Sequence, residues 1–290
     1  MTSAVVLGDA LLDVLVRPTV QMRPGADVPA EIRIGPGGQG ANLAVRLARQ
    51  GVDTILVCGL GDDPAATILR EALEAEGVRL APVRAAATGS VVILLDEAGE
   101  RTMLSNRAPF ASAAGERMPP ETDWIVVSGY LLLEADGLAF ARSLANRGVR
   151  RVLVGCAVPG DGAGWLAAAN ALAPDLTVLN QDEAAALGAT PASVGGGLVV
   201  TDATGAVATI GGVSVETRTP AGETAVDTTG AGDAFAASLI AELSRAIWPP
   251  ALDELERALD AAAERGAAVA RTSGAQGRIE AETARAPRSG

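Results

Sequence analysis

Histidine and lysine are both missing from this chain of 290 residues, and all 23 basic side chains are arginine. Without histidine there is no Ser–His or Cys–His catalytic pair and no histidine-ligated metal. Without lysine there is no Walker A loop, no lysine of the protein-kinase type and no Schiff base. Any phosphate group bound here must therefore be held by backbone N–H groups, by arginine or by a metal ion.

Cysteines and long apolar runs are also scarce. Cys58 and Cys156 are the two cysteines and lie far apart, which favours neither structural disulfides nor a zinc site. No apolar run approaches the roughly 20 residues that span a bilayer, and residues 1–20 lack the pattern of a secretory signal. The net charge of −12 argues against binding to nucleic-acid phosphates. We therefore expect a cytoplasmic protein without membrane or nucleic-acid partners.

Short apolar runs alternate with amphipathic segments along most of the chain, which predicts an α/β fold. We expect a central, mostly parallel sheet with helices on both faces, in one domain over residues 1–290. Two segments, about 14–36 and 88–108, are predicted to form edge strands, turns and a hairpin outside this sheet. Residues 280–290 are polar and should form a frayed tail. Individual predictions include one strand over 78–83 and a helix over 134–146.

A glycine-punctuated turn, VDTTGAGDAFAAS over residues 226–238, runs directly into a helix that begins near Ala231. Gly230 and Gly232 allow a sharp bend, and the first N–H groups of a helix lack intrahelical acceptors. These N–H groups can converge on an anion, with the helix dipole adding partial positive charge. Asp233 adds a carboxylate, which the helix N-terminus should hold ionised. An anion hole beside a carboxylate suits a phosphoryl group in transfer, with the carboxylate accepting a proton. A plain loop before a core helix is the alternative.

A second glycine-rich stretch, GPGGQGAN over residues 35–42, opens a predicted helix that ends near Gln50. It satisfies the dinucleotide-binding pattern G-x-G-x-x-G, so an NAD(P)-dependent oxidoreductase is one interpretation, with Asp62 on the ribose. That pattern should follow the first strand of a βαβ unit, whereas here earlier strands precede it. The glycines leave the backbone open to close approach, and the amide of Asn42 can both donate and accept hydrogen bonds.

Further polar residues follow apolar runs, where open α/β sheets bind ligands. The carboxylate of Asp13 can accept two hydroxyl donors of a polyol, although an acid at a strand end is often a turn residue. Tyr130, the only tyrosine, can contact a substrate or pack in the core. Arg101, Asn106 and Arg107 belong to the predicted hairpin, where they meet a polar or acidic substrate or are simply solvated.

Two predicted helix starts carry acidic residues. Asn180 and Glu183 have the spacing of a capping box, in which each side chain bonds the backbone of the other residue. Asp62 and Asp63 stand at the start of another helix, and we favour N-terminal capping over a metal pair.

Together these stretches resemble the ribokinase-like (PfkB) family of carbohydrate and nucleoside kinases, over residues 4–276. The strongest matches are G-G-x-G-A-N over residues 37–42 and the turn before Asp233. In the family that turn is the anion hole and its Asp is the catalytic base. The resemblance therefore implies that the catalytic group is Gly230, Ala231, Gly232 and Asp233. It implies that the substrate-binding group is Asp13, Gly37, Gly38, Asn42, Arg101 and Tyr130. It also implies that 14–36 and 88–108 form a small β lid, shared in a homodimer.

The resemblance further implies ATP and Mg²⁺ as cofactors, with Glu183 acting on Mg²⁺ through water. The nucleotide-binding positions that it implies are Asn180, Thr201, Gly205, Gly232, Ser273 and Gly274. Asp227 and Thr229 match positions that hold a monovalent cation, which makes K⁺ a further cofactor candidate. The family pattern is broken at Ala203, where glycine is usual, and at Gln39, where many ribokinases have lysine.

The function that the resemblance implies is ATP-dependent phosphorylation of a primary hydroxyl on a small polyhydroxylated substrate. A sugar of the ribose, fructose or 2-keto-3-deoxy sugar acid type is favoured. A nucleoside would usually stack on aromatic side chains, which make up only 2% of this chain. The alternatives are a nucleoside kinase of the same family and a sensor that binds sugar or nucleotide without turnover and needs no base.

Overall fold

A nine-stranded sheet forms the centre of the fold. The computed structural model describes residues 2–96, 101–119, 121–145, 147–158, 160, 162–219 and 230–271. The strands in these ranges are β1 (Ser3–Leu7), β2 (Leu11–Pro18), β3 (Ala30–Gly37), β4 (Asp53–Val57), β5 (Gly59–Leu60), β6 (Arg79–Leu80), β7 (Val83–Arg84), β8 (Gly89–Leu95), β9 (Arg101–Asn106), β10 (Trp124–Ser128), β11 (Arg150–Val154), β12 (Leu176–Asn180), β13 (Gly197–Thr201), β14 (Gly205–Ile210) and β15 (Val213–Arg218).

Helices follow most of the strands. In the same ranges they are α1 (Gln39–Arg49), α2 (Pro64–Ala75), α3 (Ala111–Ala114), α4 (Gly137–Ala145), α5 (Ala163–Leu172), α6 (Gln181–Leu187), α7 (Pro191–Val194), α8 (Ala231–Leu243) and α9 (Leu252–Ala270). Two 3-10 turns cover Gly115–Arg117 and Gly129–Leu133. Within this described part of the chain, no helix combines the length and apolar character that crossing a membrane requires.

The main sheet has the order β15-β14-β13-β12-β11-β10-β1-β4-β6. It is parallel from β13 to β6, and β14 and β15 add an antiparallel edge. Side chains of the central strand β1 alternate between two buried faces, with Val6 on one and Val5 and Leu7 on the other. A strand covered on both faces is apolar throughout. The predicted α/β fold with a mostly parallel sheet is confirmed.

The helices form two layers. Apolar residues of α1, α2, α8 and α9 pack on one face of the sheet, and those of α3, α4, α5, α6 and α7 pack on the other. Helix α8 is rich in buried alanine, and Gly266 of α9 lies where an added Cβ would come 3.3 Å from the carbonyl oxygen of Ala231. Small side chains therefore let α9 lie close to the start of α8.

A separate four-stranded sheet, which we call the lid, has the order β3-β2-β8-β9. Segments 14–36 and 88–108 contribute its strands, and β2 begins earlier than expected, at Leu11. The lid buries its own small cluster of Leu11, Val91 and Ile93. Strand β2 follows β1 after a three-residue connection, so the lid starts directly at the carboxyl end of the central strand.

Two predicted elements are wrong in detail. The strand predicted over 78–83 is two separate pairs, β6 beside β4 and β7 beside β5, because Pro82 between them has no N–H to continue a ladder. The helix predicted over 134–146 begins at Gly137. Glu134 instead accepts hydrogen bonds from the N–H groups of Phe110 and Ala111, at 3.0 and 2.8 Å.

Candidate active site

Helix α8 begins directly after the glycine turn at Gly230. Gly230 adopts the left-handed conformation with φ 73°, and the first backbone bond of α8 runs from Ala234 N–H to its carbonyl at 2.9 Å. By helix geometry the N–H groups of Ala231, Gly232 and Asp233 have no intrahelical acceptor. Gly232 is exposed, and within the described part of the chain a Cβ added there would contact nothing within 4 Å. Among the described residues, nothing therefore crowds the turn at Gly232.

Asn42 connects this turn to the other glycine-rich stretch. Its side-chain Nδ2 donates to Oδ2 of Asp233 at 2.8 Å, across 191 positions of sequence. Asn42 is 5% exposed, whereas Asp233 is half-buried. Helix α1 thus holds the acid of α8 in place.

The pKa of Asp233 is raised to about 6. Burial is the largest cause, the hydrogen bond from Asn42 and the charge of Arg46 oppose it, and Glu183 raises the pKa further. We expected the helix N-terminus to keep this carboxyl group ionised. The direction of the shift is opposite, but at neutral pH the group is still mostly a carboxylate. A raised pKa makes Asp233 a better proton acceptor near neutral pH.

Asp13 lies against the start of α1. Its carboxyl group is so close to Gly37 that an added Cβ would collide with it. Gly38 has φ 92°, and its Cβ would come 2.7 Å from the carbonyl oxygen of Asp9. Burial, and then the charge of Asp233, raise the pKa of Asp13 to about 7. Gly37 therefore brings the start of α1 next to an acid that the charge of Asp233 reaches, and Gly38 lets it lie against the backbone of Asp9.

Gln39 anchors the start of α1 to the main sheet. Its Nε2 donates to the carbonyl of Gly155 at 2.7 Å, and its Oε1 accepts from Ser128 Oγ at 2.6 Å. Both partners lie at the carboxyl ends of neighbouring strands, β10 and β11. The amide of Gln39 thus fixes α1 across these two strand ends.

Glu183 forms the predicted capping box and also faces the site. Its Oε2 accepts from Asn180 N–H at 3.0 Å, while its own N–H donates to Asn180 Oδ1 at 2.8 Å. A Cβ on Gly155 would collide with the same carboxylate, so the glycine leaves the space that Glu183 occupies. Burial raises the pKa of Glu183, and its charge acts on Asp233 and Tyr130. Capping α6 therefore does not prevent Glu183 from having the role toward Mg²⁺ that the resemblance implies.

A cluster of Asp9, Arg107 and Tyr130 lies where the lid meets the body, and the sequence had pointed to Arg107 and Tyr130 but not to Asp9. Arg107 follows β9, forms an ion pair with Asp9, and lies over the ring of Tyr130 with 3.6 Å between its Cζ and the ring centroid. Asp9 is 7% exposed, and its Oδ1 also accepts from Gly40 N–H at 3.3 Å. Burial lowers the pKa of Arg107 and raises that of Tyr130. The sequence signal for Asp9 was its position directly after Gly8 at the end of an apolar run.

The sequence and the fold of this chain are both similar to those of known proteins. The sequence matches the pfkB family of carbohydrate kinases over residues 1–282. This chain belongs to that family. The kinase is 32% identical over 272 residues to "Fructokinase" of Klebsiella pneumoniae, covering 82% of this chain and 83% of that protein. It is 31% identical over 274 residues to "ATP-dependent ribose-1-phosphate kinase" of Halopiger xanaduensis, covering 89% and 88%.

The fold of the kinase is shared with solved structures. A crystal structure of ribokinase from Thermotoga maritima matches it with a TM-score of 0.79 at 21% identity, covering 95% of each chain. The family resemblance read from the two glycine-rich stretches is confirmed, and the protein is an ATP-dependent carbohydrate kinase. The oxidoreductase interpretation is wrong, because the strand before GPGGQGAN is β3 of the lid and not a strand of the parallel sheet.

Some predicted site residues of the kinase do not meet at this cleft. Arg101 is exposed at the outer end of β9, opposite Leu95, five residues along the strand from Asn106. Arg107 follows the inner end of the same strand, and the assignment of Arg101 to the substrate site stays a prediction. Gly205 is buried at the start of β14, where an added Cβ would collide with the carbonyl of Thr217. Strand packing accounts for that glycine.

Other predicted positions of the kinase have clear places. Thr201 is half-buried at the end of β13, beside Asn180 of β12 at the carboxyl edge of the sheet. Asp63 caps α2 by accepting from Ala66 N–H at 2.9 Å and from Thr88 N–H at 2.8 Å, as the capping interpretation predicted. Four predicted residues lie outside the described residues, namely Asp227, Thr229, Ser273 and Gly274.

Proposed function

We propose that this kinase transfers the γ-phosphoryl group of ATP to a primary hydroxyl of a small polyhydroxylated sugar. The observation that carries the proposal is the 2.8 Å bond between Asn42 and Asp233. It places the amide of the acceptor-binding stretch, the acid and the open helix start of α8 at one point. A hydroxyl group bound at that point lies next to both a proton acceptor and an anion-binding turn.

Asp233 acts as the base in this proposal. The acceptor oxygen attacks the γ-phosphorus in line, the bond to the oxygen bridging to the β-phosphate breaks, and ADP leaves. The hydroxyl proton passes to the carboxylate of Asp233. The N–H groups of residues 230–233 stabilise the negative charge on the group in transfer, as donors fixed in position before the reaction.

The acceptor sugar is held by Asp13, Gly37, Gly38, Asn42 and Tyr130 in this proposal. Asp13 accepts hydroxyl donors, the glycines allow close approach of the ring, and Asn42 both donates and accepts. Tyr130 offers an apolar ring face with a polar edge.

The nucleotide lies along the ends of β12 and β13 in this proposal, near Asn180, Thr201 and Gly232. Glu183 fits a role toward Mg²⁺ because it is a single half-buried carboxylate beside the phosphate-binding turn. Mg²⁺ keeps several waters and binds few protein carboxylates, and when bound it neutralises phosphate charge. We also propose Ser273 and Gly274 for the nucleotide, and Asp227 and Thr229 for K⁺.

The outer face of the lid supports association with a second copy of the chain. Strand pairing places Val14, Ile34, Val92 and Leu104 side by side, on the face opposite Asp13. Ile34 is 61% exposed and Leu104 is 58% exposed. Exposed apolar patches of this kind mark interfaces. Sedimentation should show a dimer that Ile34→Glu dissociates, and a wild-type monomer would reject this part of the proposal.

The test of the function is an ATP-consumption screen with ketoses, aldoses, sugar phosphates, keto-deoxy acids and nucleosides. Asp233→Asn should lower kcat by about 10²–10⁴ on the best acceptor if the residue is a general base. Asp253→Asn is the matched control, because Asp253 is an exposed acid of α9 paired with Arg257. Wild-type turnover by Asp233→Asn would refute the assignment, and a nucleoside as best acceptor would refute the sugar class.

A further inference from the structure

The ion pair between Asp9 and Arg107 stands at the acceptor side of the cleft. Asp9 lies between β1 and β2, and Arg107 follows β9, so the pair joins the body to the inner end of the lid. In strand register, Asn106 is opposite Ser90 of β8, and the neighbouring Gly89 is opposite Leu11 of β2. Arg107 therefore lies two strands across the lid from Leu11, close to where β2 carries Asp13.

The charge of Arg107 is already balanced. The side chain of Asp9 is 7% exposed and that of Arg107 is 31% exposed, so the pair is largely shielded from water. The guanidinium is held a second time by the ring of Tyr130, at 3.6 Å. A cation fixed in this way cannot bind an anionic ligand without giving up a shielded partner, which is costly.

The remaining charges named at this cleft are mainly negative. Asp13, Asp233 and Glu183 are coupled electrostatically, since the charge of Asp233 acts on Asp13 and that of Glu183 acts on Asp233. Arg46 is the basic residue whose charge reaches Asp233. An acceptor carrying its own carboxylate or phosphate would thus meet uncompensated acids in a poorly hydrated space.

We propose that Asp9 is a specificity-determining residue of the acceptor pocket. By occupying Arg107 it neutralises the cation that stands where the lid meets the body, so the kinase favours an uncharged polyol over a sugar acid or sugar phosphate. This is selection against the wrong substrate by an unfavourable charge. The inference rests on the proposed acceptor function, and it narrows the class of acceptor.

The first test uses two matched pairs of acceptors with the wild-type enzyme. D-fructose and 2-keto-D-gluconate differ only at C1, where a carboxylate replaces the hydroxymethyl group. D-ribose and ribose-1-phosphate differ only at the anomeric oxygen. The neutral member should have the higher kcat/KM by about tenfold or more, since like charges in contact cost several kcal/mol. Equal values in both pairs, or a preference for the anion, would overturn the proposal.

The second test removes the charge of Asp9. Asp9→Asn keeps an acceptor for the N–H of Gly40 but frees the guanidinium of Arg107. The ratio of anionic to neutral kcat/KM should rise by about tenfold, because the freed cation can now pair with the anion. In the double variant Asp9→Asn/Arg107→Gln the gain should disappear. A purely structural role would lower both rates and leave the ratio where it was, which would overturn the proposal.

Two further measurements distinguish failure of the proposed role of Asp9 from failure of the proposed acceptor function. If Asp9→Asn does not fold, Asp9→Ser retains a short hydroxyl acceptor, and the wild-type ratios decide in any case. If none of the four compounds is phosphorylated, the proposed acceptor class fails. Equilibrium dialysis of the same pairs then reads the charge preference without turnover, and weaker binding of the neutral members would overturn the role of Asp9.

Discussion

The two glycine-rich turns of the molecule differ in what their glycines touch. At the start of α1, a side chain on Gly37, Gly38 or Gly40 would run into Asp13, Asp9 or Gly8. At the start of α8, Gly230 supplies the left-handed bend, while a side chain on Gly232 would have no neighbour within 4 Å among the described residues. The first turn uses glycine to bring two parts of the protein together, and the second is the turn to which we assign the phosphoryl group in the proposed function.

The largest expected effect tests the packed turn. Gly40→Ala would push α1 away from the backbone of Gly8 and should destabilise the protein by about 1–3 kcal/mol or more, as overpacking does. Urea unfolding measures it. Gly35→Ala is the matched control, since a Cβ added to Gly35 would have no neighbour within 4 Å in the described part of the chain and its φ is ordinary. It should change stability by less than about 0.5 kcal/mol. Equal losses in both variants would contradict the comparison.

The open turn should respond in the opposite way. Gly232→Ala adds a methyl group without a collision and should leave stability unchanged or raise it by roughly 0.5–1 kcal/mol, because alanine favours the helix. The same methyl group enters the space assigned to the phosphoryl group, so kcat/KM should fall by about tenfold, or roughly 1.4 kcal/mol. Parallel unfolding and rate measurements decide. A Gly232→Ala variant that loses stability but keeps its rate would show that Gly232 is needed for packing, which would contradict the comparison of the two turns.

A smaller effect is expected from a change of pH, because each turn carries one carboxyl group whose pKa is raised. Burial raises the pKa of Asp13 to about 7 and that of Asp233 to about 6. As pH falls through this range both carboxylates take up protons, so kcat/KM for the acceptor should fall on the acid side. A rate profile at saturating ATP measures it, with Asp13→Asn expected to remove the upper step. A flat profile between the two values would contradict the assignment.

The same two acids affect stability with the opposite sign. Their pKa values are higher in the folded protein than in the unfolded chain, so folding is favoured by protonation. The stability they contribute is fully present below about pH 4, the unfolded value, and is lost as pH rises through about 7. Asp13→Asn should therefore raise the melting temperature by a few degrees at alkaline pH and leave it nearly unchanged in acid. Thermal unfolding at both ends of the range measures this difference.

Sequence reasoning reached the features that are local in the chain. The capping box of Asn180 and Glu183, the cap at Asp63 and the helix starts after both glycine-rich turns are set by residues a few positions apart. The family resemblance then implied that the two glycine-rich turns belong to one site. Their 2.8 Å contact through Asn42 could not be read from spacing, because its partner lies 191 positions away.

The features that sequence reasoning missed depend on register and long-range pairing. Arg101 and Arg107 belong to one hairpin, and only the alignment of β8 with β9 shows which of them lies at the inner end. Asp9 and Arg107 are 98 positions apart, and neither stands in a recognisable motif. The division of 78–83 into two short strands follows from which neighbour each half finds, which local propensity does not encode.

The central position of β1 has a consequence for synthesis of the chain. This strand leaves the ribosome well before its neighbour β10, which begins at Trp124, and the acid that Asn42 holds comes later still. Contacts this distant in sequence close slowly. A nascent polypeptide released before α8 would contain Asp13 and Asn42 but lack Asp233, the proton acceptor of the proposed function, so truncated products should be inert.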